Sequence, residues 1–389
     1  MEPFISRHAL VLGAGLAGAA CCAALARRGW TLTLLDRCPG PAQGASGLPV
    51  GMLSPHQTRS PTPLSRLCAL GVPDARAELE RLVPEGAGWT ATDVDNLGHA
   101  PGRWPAALVR PAALVEAWLN QARGLQALDT RWNAEVAALV RRDSQWQALD
   151  VHGEVLAQAP VVVIAAAFGS LAILEGQHGL DASALPIRPV QGQLTMAPLV
   201  GEPMAPRPMR NNGVFVPAYE DSGLPPAWPS RVWAMGSTYE RGCQDTTVRN
   251  SAHERNADSL QQMHPQAATE LRHRLANGAL LGWAQIRCAS LDRVPMVGAA
   301  PDVPALKVMM QEAGHRRGRV PLADTPRLPG LYLLTAFGSR GLTLAQWCAD
   351  WLAAQMNGEP SSLPDSDRDL ERAMDPARFA WKIARRQDA

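Results

Sequence analysis

The stretch HALVLGAGLAGAACCAALARRGWTLTLLD, from His8 to Asp36, constrains the fold of this chain more than any other. A short apolar run, His8 to Leu12, leads into Gly13-x-Gly15-x-x-Gly18 and then an alanine-rich segment that ends at Arg27, Arg28 and Gly29. That order predicts strand, tight turn and helix. A second apolar strand, Trp30 to Leu35, then delivers Asp36, where a βαβ unit that binds a dinucleotide carries an acidic residue for a ribose hydroxyl. The three glycines serve different ends. Gly13 permits the turn, Gly15 lets the backbone approach a pyrophosphate, and Gly18 lets helix and strand pack closely. The anion is expected at the positive helix end, among free N–H groups. The expected cofactor-binding set here is Gly13, Ala14, Gly15, Leu16, Ala17, Gly18, Asp36 and Arg37.

The 389 residues suffice for two domains, or for one α/β domain with an inserted lobe. No apolar run approaches the roughly 20 residues of a membrane span. A net charge of +1 gives no global attraction to nucleic acid, so a polyanion would have to be met by a local patch. The glycine fingerprint explains the apolar N-terminal stretch better than a secretory signal does. Seven cysteines, an odd number with no C-x-x-C pair, argue against a disulfide framework or a zinc site and fit a reducing cytoplasm. No metal is expected.

After Asp36, a Pro/Gly-rich connection leads to Gly44-Ala45-Ser46-Gly47 and then Val50-Gly51-Met52. Small residues here let backbone amides and the Ser46 hydroxyl approach a ligand, the alternative being a flexible loop. Pro73 divides the apolar positions of Pro61 to Val83, predicting two short helices. Arg110 to Arg123 reads as an amphipathic helix with proline at its start. Short strands follow over 135–140, 145–151 and 154–157, then a fully apolar strand over 160–164 that ends in Ala165, Ala166 and Ala167. A buried parallel strand of that kind lies beside a bound dinucleotide. Strand-like segments over 188–196, 213–219 and 231–238, two polar helices over 252–263 and 266–276, and a strand over 280–288 make a second lobe. Residues 300–330, with five prolines, read as loop or insertion. Leu331 to Leu334 is a strand leading into Gly338-Ser339-Arg340-Gly341 and a helix from Leu342 to about Met356. The expected fold is α/β: a Rossmann-like domain (1–60, 100–184 and 331–389) with a second, mainly antiparallel lobe (61–99 and 185–330).

These motifs resemble, in order, the FAD-dependent amine oxidoreductases of the D-amino-acid oxidase and glycine oxidase type. VLGAGLAG with Asp36, GASG at 44–47, VVVIAAAFGS at 161–170, PVQGQLT at 189–195, MGSTYERG at 235–242, IRCASLDRVPMVG at 286–298 and GSRGLT at 338–343 carry the resemblance. More narrowly, GASG followed by GMLSPH, IRCASLDRVPMVG, GSRGLT and Asp375-Pro376-Ala377-Arg378-Phe379 resemble the oxidoreductase domain of the bifunctional MnmC tRNA-modification enzymes. That family oxidises a carboxymethylaminomethyl group on the wobble uridine so that its glycine part leaves. Only seven residues precede the first strand, so the expectation is a stand-alone oxidoreductase, with methylation left to a separate methyltransferase.

The resemblance implies FAD as cofactor and tRNA as substrate partner. It implies Arg287 as the anchor of the substrate carboxylate, for which a guanidinium fork is suited; an ion pair with Asp292 is the alternative. Arg340 is the second candidate, for the substrate or the flavin pyrimidine edge, against a solvated turn arginine. Gly338, Ser339, Gly341, Leu342 and Thr343 are expected around the flavin, with the Gly341 to Thr343 amides at a helix start. Tyr239 is placed as a substrate hydrogen-bonding residue, against a core tyrosine. His56 is a residue that borders the flavin or is merely structural. Phosphate contacts are expected from Arg316, Arg317 and Arg319, or from Arg378, Lys382, Arg385 and Arg386 with Phe379 and Trp381 interleaved, against two solvated charged surfaces. Three functions remain open: the tRNA oxidoreductase, an oxidase or dehydrogenase of a free small amine, and a non-catalytic flavin-binding RNA or assembly partner.

Overall fold

A computed structural model describes residues 7–174, 180–181, 183–226 and 228–386. The first third runs β1 (His8–Leu12), α1 (Leu16–Ala26), β2 (Thr31–Leu35), β3 (Gly51–Leu53), α2 (Pro63–Leu82), β4 (Trp89–Asn96), β5 (Gly102–Val109), α3 (Pro111–Gly124) and β6 (Leu128–Arg131). A meander of β7 (Ala138–Arg142), β8 (Gln145–Leu149) and β9 (Val155–Ala159) precedes β10 (Val161–Ile164) and the short α4 (Ser170–Leu174). The second lobe supplies β11 (Ile187–Pro198), β12 (Met209–Asn211), β13 (Gly213–Glu220), β14 (Arg231–Gly236), β15 (Glu240–Arg241), α5 (Asn250–Gln261), α6 (Pro265–Ala276) and β16 (Leu281–Ser290). The chain closes with β17 (Met296–Pro301), α7 (Val303–Ala313), β18 (Arg327–Thr335), α8 (Gly341–Met356), α9 (Asp369–Met374) and α10 (Arg378–Ala384).

Six strands form one sheet in the order β17-β18-β10-β1-β2-β6, parallel except for β17. Its central strands β1 and β10 are apolar without alternation because both faces are covered, whereas the edge strand β6 alternates. Ala9 and Val11 pack with α1, α2, α3 and α8, whereas Leu10 and Leu12 turn to the other face, where Trp146 and Ala148 of the meander lie. The second sheet runs β15-β11-β14-β13-β12-β4-β5-β3, with β16 also paired to β11, and is antiparallel apart from the β12–β4 pair. Residues 291–295 carry the chain from β16 in the second sheet to β17 in the first.

The structure redraws several expectations. Pro61 to Val83 holds one helix, α2, with Pro73 inside it. An internal proline costs about 3 kcal/mol, but packing on α8 offsets it, and Gly71 lies so close to α8 that a Cβ would overlap the Thr343 carbonyl. A Thr62–Ser65 capping box fixes the start of α2. Within 300–330, expected as loop, α7 forms because Asp302 caps the Ala305 N–H at 3.0 Å and Pro304 sits in the first turn, where no internal donor is needed. The strand pairing also divides the chain differently from the expected domain bounds. β3 and β5, from segments assigned to the cofactor domain, join the second sheet, while α2, assigned to the lobe, packs on α8.

Candidate active site

The carboxyl ends of β1, β10 and β18 meet the face of β16 around a single cavity of about 490 Å³. In open α/β sheets the ligand crevice lies where successive strands depart to opposite sides. Here β2 lies on one side of β1 and β10 on the other. The first turn shows why glycines stand there. Gly13 has φ +105°, and a Cβ on it would lie 2.7 Å from the Ala165 carbonyl oxygen, while one on Gly18 would overlap the Gly13 carbonyl. Gly15, Leu16 and Ala17 open onto the cavity. Ser46 accepts the Leu16 N–H at 3.0 Å, so the GASG turn is docked against the start of α1. Asp36 accepts from the Ala14 N–H at 2.6 Å and the Cys38 N–H at 2.8 Å, which ties the turn to the end of β2.

Ala45, Ser46, Val50, Gly51 and Met52 line a second wall, and Ala165 lies opposite with Ala167; Ala166 backs the Gly13 turn. Gly338, Ser339, Arg340, Gly341 and Leu342 form a third wall at the first turn of α8, where a helix leaves its N–H groups without internal acceptors. Thr343 is buried behind them, its N–H returned to the Arg340 carbonyl at 3.1 Å. Gly18, Gly44, Gly47 and the exposed Arg37 stand outside the lining. The lining contains three arginines, Arg210, Arg287 and Arg340, and no carboxylate. With a helix N-terminus on each of two walls and Gly15, Gly338 and Gly341 in the lining, where backbone is open to close approach, this donor set fits the diphosphate of a dinucleotide.

Arg287 sits deep below the surface, and its guanidinium crosses β11 above Gly192, where a Cβ would overlap it. Its Nη1 donates to the Thr238 carbonyl at 3.4 Å and its Nη2 to Ser237 Oγ, with the Tyr239 ring 5.8 Å from Cζ. Burial pulls its pKa down. The alternative pairing with Asp292 is not adopted: Asp292 forms a two-point ion pair with Arg378, both contacts 2.9 Å, which holds its carboxyl below the usual range against the opposing effect of burial. Among the described residues Arg287 has no acidic partner. Tyr239 stands at the rim, 49% exposed, between Arg287 and Arg241.

Arg340 is half-buried and donates from Nη2 to His56 Nδ1 at 2.8 Å. Burial, then the charges of Arg340, Arg210 and Arg293, push the His56 pKa down to about 4, so the ring is neutral and Nδ1 is free to accept. Arg210 holds the turn that carries His56, donating to Ser54 Oγ and the Pro55 carbonyl at 2.8 Å each. The sequence did not single out Arg210, Gly192, Trp283 or Gln285. Trp283 and Gln285 could have been found from period-two spacing, since they and Arg287 share one face of β16.

The expected basic surfaces change in one respect. Arg378 is 2% exposed and committed to Asp292, and Phe379 and Trp381 are buried beside it, so these three offer nothing to a phosphate. Arg316 and Arg319 are exposed, and Arg385 donates to the Gly318 carbonyl while stacking on Trp381, which joins the two expected patches into one. The side chain of Arg317 lies outside those described. Among the described residues no group of histidines, cysteines and acids could hold a metal, and no helix is long and apolar enough to cross a membrane. All seven cysteines are free.

The profile of the FAD-dependent oxidoreductase family matches residues 8–105 and 102–355. The chain is 33% identical over 409 residues to the tRNA 5-methylaminomethyl-2-thiouridine biosynthesis bifunctional protein MnmC of Polaromonas sp., covering 93% of this chain and 59% of that protein. It is 34% identical over 440 residues to the protein of the same name from Verminephrobacter eiseniae, covering 97% and 64%. The chain therefore spans roughly three fifths of the length of these relatives. Among solved structures it is similar to glycine oxidase from Geobacillus kaustophilus, with TM-score 0.68, 16% identity and coverage of 95% and 98%. A similar match is iminodiacetate oxidase from Chelativorans sp., with TM-score 0.66, 18% identity and coverage of 92% and 97%. The cradle of glycines and helix starts thus has its ligand: the chain belongs to the FAD-dependent oxidoreductases, with FAD as its cofactor.

Proposed function

We propose that this chain oxidises the carboxymethylaminomethyl group of the tRNA wobble uridine, with or without a 2-thio group, and so releases the glycine part and leaves an aminomethyl group. The observation that carries this reading is Arg287, a deep guanidinium without an acid partner among the described residues, which faces the cavity carrying the FAD cradle. An unpaired buried cation is costly unless a ligand completes it, and a carboxylate completes it with two charge-assisted hydrogen bonds. The MnmC relatives, named for tRNA 5-methylaminomethyl-2-thiouridine biosynthesis, support a modified tRNA uridine as the substrate.

Bound FAD supplies the acceptor for a hydride leaving the carbon between the amine and the carboxylate. Arg287 anchors the carboxylate and thereby fixes that carbon. Three arginines without a carboxylate in the lining disfavour an ammonium, holding the amine in the neutral form that can release a hydride. The resulting C=N bond takes up water and separates into the aminomethyl uridine and glyoxylate. Arg340, held by His56, is the second anion contact, and Tyr239 contacts the substrate at the rim. We assign the later methylation to a separate methyltransferase.

The deciding experiment is anaerobic bleaching of the flavin's visible absorbance by an anticodon stem-loop carrying carboxymethylaminomethyl-uridine, compared with free glycine and sarcosine. The reading requires bleaching by the stem-loop at micromolar concentration with little from the small amines. Bleaching by the free amines alone would replace it with a small-amine oxidase.

A further inference from the structure

We infer that Gln285 is a specificity-determining residue that reads the pyrimidine of the substrate through its N3–H and O4, the inference resting on the uridine reading above. Trp283, Gln285 and Arg287 are alternate residues of β16 and all three line the cavity. Alternate strand residues lie about 6.8 Å apart on one face. The arm from uracil C5 to the carboxylate carbon has four single bonds of about 1.5 Å, which zigzag over about 5 Å, and O4 is attached to the ring carbon next to C5. The Arg287 guanidinium lies over Gly192, the β11 partner of Gln285, so a substrate whose carboxylate it holds brings O4 and N3 within reach of the Gln285 side chain.

The chemistry of the amide matches that edge. A glutamine side chain offers an NH₂ donor and a carbonyl acceptor side by side; uracil offers an O4 acceptor beside an N3–H donor. The amide makes no hydrogen bond to any described residue, although it is half-buried. Opposite it on β11 stands Gly192, over which the Arg287 guanidinium lies, so the anchor and the amide are neighbours. Among the described residues the Gln285 amide thus has no partner, whereas the other lining polar groups around it do: Arg287 holds Ser237 and Thr238, and Arg210 holds Ser54 and Pro55. Trp283, next along the same face, presents an apolar wall against which a ring can lie. The edge read consists of O4 and N3–H and does not include the group at position 2, so the amide makes no direct contact with the oxygen or sulfur there.

The test is a two-by-two comparison of anaerobic flavin bleaching. The stem-loop carrying carboxymethylaminomethyl-uridine is set against the same stem-loop methylated at N3 of that uridine, with the native protein and with Gln285→Met, which keeps the side-chain volume. Retention of the bound-flavin spectrum shows that the variant is folded. The native protein should reach half-maximal bleaching rate at a concentration at least 10-fold lower for the unmethylated substrate, and Gln285→Met should treat the two alike. Equal response of the native protein to both substrates, or full discrimination kept by the variant, would overturn the role of Gln285. A native protein bleached by sarcosine and by neither stem-loop would instead overturn the tRNA reading, and this inference with it.

Discussion

Two arginines lie deep in this molecule, on either side of the same loop, and they have opposite fates. Arg378 reaches Asp292 from 86 residues away in sequence, also donates to the carbonyls of Val294, Pro295, Met374 and Asp375, and is fully consumed by the fold. Arg287, only five residues before Asp292, is left with a serine, a carbonyl and a tyrosine face. Burial alone therefore says little about what an arginine is for. What separates a strut from a binding group is whether the fold itself supplies the counter-charge.

That contrast can be broken by truncating each in turn. Arg287→Ala should lower kcat/KM for the carboxylate-bearing substrate by about 10²–10³-fold, the cost of removing one member of a buried charge-assisted pair, while bound FAD and the denaturation midpoint stay as they were or the midpoint rises. Arg378→Ala should do the reverse, losing about 2–4 kcal/mol of stability in chemical denaturation because Asp292 and several carbonyls lose their donor. Similar destabilisation by both would erase the distinction. A finer probe is Gly192→Ala, whose new methyl overlaps the far end of the Arg287 side chain rather than backbone. It should leave the fold intact and raise KM about 10-fold; an unchanged KM would mean that the observed guanidinium position is not the one that binds.

The smallest effect concerns the other cavity arginine. Since folding lowers the His56 pKa to about 4, the unfolded chain takes up a proton near pH 6.5 while the folded one does not, so stability falls as pH drops from about 6.5 towards 4 and is complete above that window. The site is half open to solvent, which limits the contribution to about 1 kcal/mol. His56→Gln, whose amide oxygen can still accept from Arg340, should remove this part of the pH dependence in denaturation measured from pH 4 to 7. A pH profile that does not change would detach His56 from Arg340.

The cofactor half of the site was legible because its physics is local. Gly13, Gly15 and Gly18, the apolar strands around them and Asp36 all fall between His8 and Asp36, and periodicity and steric need speak directly there. The helix starting at Gly341 was legible for the same reason. What escaped was decided by distant parts of the chain. Pro73 reads as a break until α8 is known to pack along α2, and the hairpin of β4 and β5, with Pro105 inside a strand, carries too weak an alternation to announce itself. Whether Arg287 is free could not be known without Arg378, since in sequence Asp292 is its nearer partner. Gln285 was passed over because it acquires meaning only from the period-two spacing that sets it on the Arg287 face of β16.

The crossing from β16 to β17 bears on how the enzyme can move. Immediately after Arg287, the Cys288 carbonyl accepts the Gly338 N–H at 2.7 Å, and Ala289 bridges to Phe337. The anchor strand is thus stitched to the turn that begins α8, within a few residues of both arginines. Such a seam cannot open like a hinged jaw without breaking backbone hydrogen bonds beside the reacting centre. Arg287 and the cradle wall at the start of α8 consequently travel as one block, so that on the proposed tRNA reading the modified base is brought past the exposed Tyr239 into the cavity, and the adjustment needed to seat it falls to the nucleotide.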